Sequence, residues 1–215
     1  MELRRTANAG VLLKLDGVSI LLDGVCREVK PYPATPPEEY ALLSACFPDI
    51  VAYTHGHKDH YDPAFACAYV KQTGGVVLGP DGLSGIRASM SPVTIGGVCV
   101  TPVACRHIGA AGKDTPHAGF VIAGSKTVWF TGDSSPSRWR GREDLPKPDV
   151  VIVPYAYVNT TTSWLFTKSL GARVVLLHMP DRAADAAGLW EMVDAVVGDE
   201  SGLYIPAISQ TIHLL

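Results

Sequence analysis

The sequence carries no excess of basic charge. Its 215 residues hold 18 Lys plus Arg against 21 Asp plus Glu, a formal net charge of −3 at pH 7. That balance lacks the field that attracts a phosphate backbone, which argues against nucleic acid as a partner. No apolar run approaches the roughly 18 residues that a spanning helix needs, so no membrane partner is expected. The first segment, "MELRRTANAGVLLKLDG", has two arginines. Its apolar run is nevertheless broken by Lys14 and Asp16, and it reads as a strand instead of a signal peptide. Cysteine is sparse: Cys26, Cys46, Cys67, Cys99 and Cys105 are odd in number and form no C-x-x-C pair. Most stand among apolar neighbours, where a thiol is expected to behave as a small buried hydrophobe, and a cytoplasmic location is expected. Cys105, two residues before His107, is expected to face the core. Low-complexity tracts, short-period repeats and an interdomain linker are also missing, so residues 1–215 read as one domain. With 47% apolar residues, that domain can bury a sizeable core.

What is present is an alternation of short apolar strands with helical stretches. "GVLLKL" and "VSILLD" are joined by Asp16-Gly17, a two-residue hairpin signal. "TPPEEYALLSACF" reads as a helix with Thr35 as its cap. "DPAFACAYVKQTGG" reads as another, capped by Asp62, opened by Pro63 and stopped at Gly74-Gly75. "VIAGSKTVWF" is a second hairpin. "TTTSWLFTKSL", capped by Thr160, and "AADAAGLWEMVDAVV" are later helices, with the strand "ARVVLLH" between them. Both halves begin with strands and end with helices, which predicts an α/β architecture of sheets inside and helices outside.

Histidine is scarce, seven in all, yet "HGHKDH" places three of them and an aspartate within His55 to His60, directly after the buried strand "DIVAYT". Neutral imidazole and carboxylate are the usual ligands of divalent transition ions. His55 and His57 are two apart, so in extended chain both point to one side. Asp59 and His60 sit in a turn before a helix and can reach a neighbouring ion. Further acids and histidines fall at or beside strand ends: Asp23, His55, His107, Asp133 and His178. Strand ends are where sheets hold chemistry rigidly while loops converge, so these residues predict one shared site.

His55-x-His57-x-Asp59-His60, followed by His107, Asp133 and His178, resembles the motif set of the metallo-β-lactamase-fold hydrolases over nearly the whole chain. "THGHKDHYDP" and "HAGFVI…VWFTGD" are most similar to the L-ascorbate-6-phosphate lactonase-like branch. The resemblance implies an α/β fold in the form of a four-layer αββα sandwich with the site at one edge of two sheets. It implies a first ion on His55, His57 and His107, a second on Asp59, His60 and His178, and Asp133 between them. Asp23 would support the site without binding metal. The pattern departs from glyoxalase II, which wants "TPGH" where "ACRHIG" stands, and from the flavodiiron proteins, which place Glu at the position of His57. It also leaves no room for the RNA-gripping arm of the tRNA 3′-processing enzymes.

Two divalent ions, two carboxylates and a bridging hydroxide would leave the centre roughly +1, attracting an anionic or carbonyl-bearing small molecule. A metal lowers the pKa of its water from about 15.7 towards about 7. The expected function is therefore a metal-dependent hydrolase acting on a small ester, lactone or phosphoester, with Asp59 both binding metal and orienting the nucleophile. Five imidazoles and two carboxylates suit zinc first, with manganese or iron as alternatives. Two competing readings are a nuclease or phosphodiesterase on nucleic-acid ends, which needs a basic surface, and a non-hydrolytic redox or sensory metal protein. Lys58, Tyr61, His117, Tyr155 and Asn159 are candidate substrate contacts. Arg138, Arg140 and Arg142 surround Trp139 but run into Glu143 and Asp144, and read as a solvated mixed-charge stretch. His213 reads as incidental, and the four tryptophans as core or pocket-rim residues.

Overall fold

Asp16 and Gly17 both have positive φ, 51° and 82°, which turns the chain back within two residues and sets the first hairpin. The computed structural model describes residues 1–109, 112, 114–198 and 202–214. β1 (Glu2–Arg5), β2 (Val11–Leu15) and β3 (Val18–Leu22) are antiparallel. α1 (Pro37–Ala45), β4 (Ile50–Ala52), α2 (Pro63–Thr73) and β5 (Val77–Leu78) follow, and β4 and β5 run parallel to β3. β6 (Val93–Ile95), β7 (Val98–Arg106), β8 (Pro116–Ala123) and β9 (Thr127–Phe130) form an antiparallel meander. β10 (Val150–Pro154), α3 (Thr161–Ser169), β11 (Arg173–Leu177), α4 (Leu189–Val197) and β12 (Leu203–Tyr204) continue it with parallel strands. β13 (Thr211–His213) returns to pair with β1, so His213 belongs to an edge strand. Among the described residues this gives one sheet ordered β13-β1-β2-β3-β4-β5 and another ordered β12-β11-β10-β9-β8-β7-β6.

The period-two alternation of strands explains why the sheets stack. Leu13, Ile20, Ile50 and Ala52 of the first sheet meet Phe120, Ile122, Val150, Ile152 and Val175 of the second in a central core. The intervening residues point the other way. Val51 and Val77 pack under Leu43 of α1 and Phe65 and Tyr69 of α2. Val151, Val153, Val174 and Leu176 pack under Trp164 and Phe166 of α3 and Val193 and Val197 of α4. Each fully buried aliphatic contributes about 1.5–3 kcal/mol, so the apolar runs favour burial on both faces. The layers are helix, sheet, sheet, helix, as expected. Trp129, Trp139 and Trp164 are buried and Trp190 half-buried, consistent with core and rim. No helix among the described residues is long and apolar enough to cross a membrane.

Several local expectations hold and some do not. Asp62 accepts from the Phe65 N–H at 2.9 Å, and α2 stops at Gly74 with φ 69°, as its capping pattern predicts. Thr160 likewise caps α3 through the Ser163 N–H. Thr35 does not cap α1: the helix starts after Pro36, and the Thr35 hydroxyl instead accepts from the Cys26 N–H at 2.9 Å. The last helix is shorter than its apolar pattern, starting at Leu189. The Asp185 carboxylate takes the Leu189 and Trp190 N–H groups, and Gly188 is left-handed at φ 67°. Cysteine burial is overestimated from sequence. Cys26 is buried and Cys105, half-buried, packs against the core as expected, but Cys46 and Cys67 are exposed and Cys99 half-buried, because short helices and strands leave one side of each open.

One edge of the sandwich is fastened by carboxylates. Asp16, in the β2–β3 turn, accepts from both the N–H and the hydroxyl of Ser125, in the β8–β9 turn, at 2.6 Å each, and so ties one sheet to the other. Asp49 accepts from the Ser19 N–H and hydroxyl, and Asp149 from the Thr127 N–H at 2.8 Å. The strands β3, β4, β7, β9 and β11 all run away from this edge. Their far ends define the opposite one.

Candidate metal centre

Asp23 follows β3 directly, His107 follows β7 and His178 follows β11. His55 and Asp133 lie three residues past β4 and β9, further than the sequence pattern suggests. Their segments nevertheless continue the ladders, through Tyr53 N–H to the Leu78 carbonyl and Thr131 N–H to the Ile152 carbonyl. The two sheets meet here through a bond from the Ala118 N–H to the Thr54 carbonyl, 2.9 Å. Gly132 makes the approach possible. Its φ is 50°, and a Cβ there would lie 2.4 Å from the Thr54 side chain.

The side chains converge. The His55 ring centroid lies 4.5 Å from that of His57, 4.2 Å from that of His60 and 4.7 Å from that of His107. The Asp133 Oδ2 is 3.3 Å from His60 Nε2, 3.4 Å from His178 Nε2 and 3.7 Å from His107 Nε2. The Asp59 Oδ2 is 3.3 Å from His178 Nε2 and 3.9 Å from His60 Nε2. Candidate ligand atoms fall within 4.8 Å of one another in three groups: His55, His57 and His107; Asp59, His60 and His178; and Asp23, His55 and His60.

Hydrogen bonds on the far side of the rings decide which groups are free to bind. Asp23 accepts from the Thr54 N–H at 2.7 Å and the Thr54 hydroxyl at 2.6 Å, and it contacts His60 Nδ1 at 2.8 Å. These bonds occupy the Asp23 carboxylate and set it behind the candidate ligands His55 and His60. Because the Thr54 hydroxyl donates to Asp23, it accepts from His55 Nδ1 at 2.9 Å. One buried acid thus sets two tautomers, leaving Nε2 of both His55 and His60 as a lone pair facing the centre. His107 is set the same way by its Nδ1 donating to the Ile108 carbonyl at 2.6 Å. The Nε2 atoms of His55, His60, His107 and His178 are all buried with no hydrogen-bond partner among the described residues. Unsatisfied buried polar atoms are costly, and three of these, on His60, His107 and His178, lie within 3.7 Å of the Asp133 Oδ2, an arrangement that wants a shared positive partner. The donor set therefore fits divalent metal.

The electrostatics agree with the geometry. Burial, with His60 nearby, holds His55 well below the ordinary imidazole value, so its lone pair is available. Partial burial and His107 lower His57 too. Burial opposes ionisation of Asp133, but His178 and His60 overcome it and hold the carboxyl well below the usual range. Burial also opposes charge on His60, yet Asp133 and Asp23 on either side raise it well above its ordinary value. The space between these acids favours positive charge, which a cation supplies as well as a proton does.

No protein-family model matches the chain, and no curated protein matches it. Solved structures do. The isothiocyanate hydrolase from Delia radicum gut bacteria superposes with a TM-score of 0.72 at 21% identity, over 100% of this chain and 99% of that one. The metallo-β-lactamase fold protein YhfI from Bacillus subtilis gives 0.62 at 19% identity, over 99% of both chains. CmlA, a diiron β-hydroxylase from Streptomyces venezuelae, gives 0.67 at 17% identity, over 99% of this chain and 54% of that one. The fold is that of the metallo-β-lactamases.

On this fold the remaining candidates separate. Lys58 is exposed on the ligand loop, and Tyr155 and Asn159 are half-buried, with the Tyr155 ring 6.3 Å from that of His178. Tyr61 is a correction. Its ring packs edge-on to Tyr53 in the core beneath α2, and its hydroxyl donates to the Ser84 carbonyl at 2.6 Å, so it faces away from the centre. The residue after a ligand is turned inward by the start of α2, and Tyr is apolar enough to stay there. His117 is on β8, buried beneath the candidate ligands, 5.1 Å ring to ring from His55, with neither nitrogen hydrogen-bonded among the described residues. Burial depresses it to about 3, and it is neutral. Arg142 pairs with Asp144 at 2.7 Å, and Arg140 lies over Phe166. Both line a groove of about 830 Å³ over Trp129 and Trp139, and none of the candidate ligands lines it. Sequence reading missed Tyr32, whose ring stands 4.4 Å from that of His178 at 81°. The signal available was weak: an aromatic isolated between Pro31 and Pro33. It also missed Ser134, which bridges to His107 and whose hydroxyl accepts from the Trp139 indole N–H at 2.7 Å, bracing the Asp133 turn.

Proposed function

We propose that the protein is a metal-dependent hydrolase with a dinuclear centre, acting on a small ester, lactone or phosphoester. The observation that carries this reading is the convergence on the Asp133 and Asp59 carboxylates of three buried imidazole nitrogens, on His60, His107 and His178, that have no hydrogen-bond partner among the described residues. His55, His57 and His107 would hold one ion, Asp59, His60 and His178 the other, and Asp133, within reach of both groups, would lie between. Zinc is the first choice for this donor set, with manganese or iron as alternatives. When bound, the ions supply Lewis acidity and a hydroxide nucleophile at neutral pH. The chain's own residues supply the rest. Asp59 would orient the nucleophile as well as hold metal, and Asp23 would keep His55 and His60 in the required tautomer. His117 would line the floor beneath the ligands as a buried imidazole. Tyr155 and Asn159, with Lys58 from the ligand loop, form the wall that a substrate would meet.

The test is metal analysis followed by turnover on lactones, thioesters, phosphodiesters and phosphorylated sugars. An isothiocyanate belongs on the panel because a hydrolase of that class shares the fold. His57→Ala and Asp133→Ala should each lose bound metal and at least about a hundredfold in kcat/KM on any active substrate. Either variant retaining full metal and wild-type rate removes the ligand assignment. A second reading follows from the likeness to a diiron β-hydroxylase: iron bound in the purified protein with no turnover on the panel would favour redox chemistry.

A further inference from the structure

We propose that Tyr32 is the positioning residue for His178, and that the loop carrying it sets how tightly the second ion is held; this rests on the two-ion reading above. Metal-binding imidazoles are normally aimed by a hydrogen bond at the nitrogen that does not bind. His55, His60 and His107 have such bonds, to Thr54, Asp23 and the Ile108 carbonyl. His178 does not. Its Nδ1 is buried without a partner among the described residues, and its backbone is left-handed at φ 59°. Its N–H reaches the Asn8 carbonyl only at 3.3 Å. The ring is held by packing instead. Tyr32 meets it edge to face at 4.4 Å and 81°, the arrangement that aromatic quadrupoles prefer, while Tyr155 stands off at 6.3 Å.

Tyr32 is built to be the inserted residue of its loop. Arg27 through Pro31, Pro33 and Ala34 are exposed, whereas Tyr32 is half-buried. Val29 and Tyr32 exchange backbone hydrogen bonds of 3.0 and 2.7 Å, which closes the loop into a tight reversal. The foot of the loop stands on the ligand segment itself. The Arg27 N–H donates to the Lys58 carbonyl at 2.7 Å, and the Arg27 guanidinium pairs with Asp62 at 3.0 Å. A displacement of the loop therefore withdraws the edge-on ring contact at 4.4 Å from His178, while His55 and His107, assigned to the first ion, keep their hydrogen bonds.

The experiment is stepwise titration of the metal-stripped full chain with Zn²⁺ against a chromophoric chelator, repeated with Co²⁺ to follow the ligand-field spectrum. Wild type should bind in two steps. Tyr32→Phe, which keeps the ring, should stay within about threefold in both. Tyr32→Ala and Tyr32→Leu should weaken the second step by about tenfold or more, leave the first unchanged and alter the Co²⁺ spectrum of the second site only. Tyr32→Leu preserves bulk, so it carries the test should Tyr32→Ala fail to fold. Wild-type affinity at the second step in Tyr32→Leu refutes the role of the ring, and equal losses in Tyr32→Phe and Tyr32→Ala refute it in favour of the hydroxyl. A wild type binding in one step refutes the two-ion reading and this inference with it. Two wild-type steps with an unaltered Tyr32→Ala refute the Tyr32 role alone.

Discussion

At the residue scale, the candidate centre leans on an acid set behind two of its imidazoles. Asp23 is fully buried, and burial pushes its carboxyl up, with His60 and Thr54 opposing. It persists because it satisfies the Thr54 N–H and hydroxyl and His60 together. Asp23→Asn preserves its volume but must present an N–H where an acceptor is needed, so His60 or Thr54 loses its partner. Metal affinity should fall about 10- to 100-fold, measured by chelator competition, with the far-UV circular dichroism unchanged. Unchanged affinity would mean that the tautomers are set elsewhere. The residues within "HGHKDH" were readable because a short loop forces them together whatever the rest of the chain does. Tyr32 and His178 meet only through tertiary packing, and no local pattern announces such a contact. Tyr61 misled for the converse reason: its sequence neighbours are candidate ligands, but the turn into α2 directs it into the core.

At the level of elements, the legible features were those whose chemistry is local. Asp62 before Pro63 and Gly74 after Thr73 bound α2 because caps and left-handed stops act within one turn; a cap of this type is worth about 1 kcal/mol. Thr35 had the same credentials, and the Cys26 N–H, from a different segment, took its hydroxyl. The turn-to-turn fastening by Asp16 could not be read at all, since Ser125 is its partner only in three dimensions. It has a pH signature. Hydrogen bonds from Ser125 lower the Asp16 carboxyl, and those from Ser19 lower Asp49, below the unfolded value of 3.8. A depressed carboxyl adds stability above the unfolded value and loses it as pH falls through the lower folded one. The urea midpoint should therefore drop as pH is taken below about 3.8, and less steeply in Ser125→Ala, which retains only the backbone donor. Parallel pH profiles for the two proteins would assign the acid sensitivity to other carboxylates.

For the whole molecule, the order of strands and helices was enough to anticipate sheets inside and helices outside, since a strand apolar on both faces must be covered on both. That the sheets are two and stacked was implied only by the resemblance of the His and Asp motifs. The pairing of β13 with β1 and the position of β12 were not anticipated, because three or two residues carry no periodicity. The larger consequence comes from how the candidate ligands are shared out. His55, His57, Asp59 and His60 follow a strand of the first sheet, and His107, Asp133 and His178 follow strands of the second. Any ion held by both sets is a mechanical staple across the seam, on the side opposite the Asp16–Ser125 tie. Stripping the metal should let the two slabs part like a book opened from its fore-edge, with the spine intact. Amide exchange should then quicken at Ala118, whose N–H crosses the seam beside the ligands, and hold steady at Ser125. Equal rates at both, with and without chelator, would show that the staple bears no load.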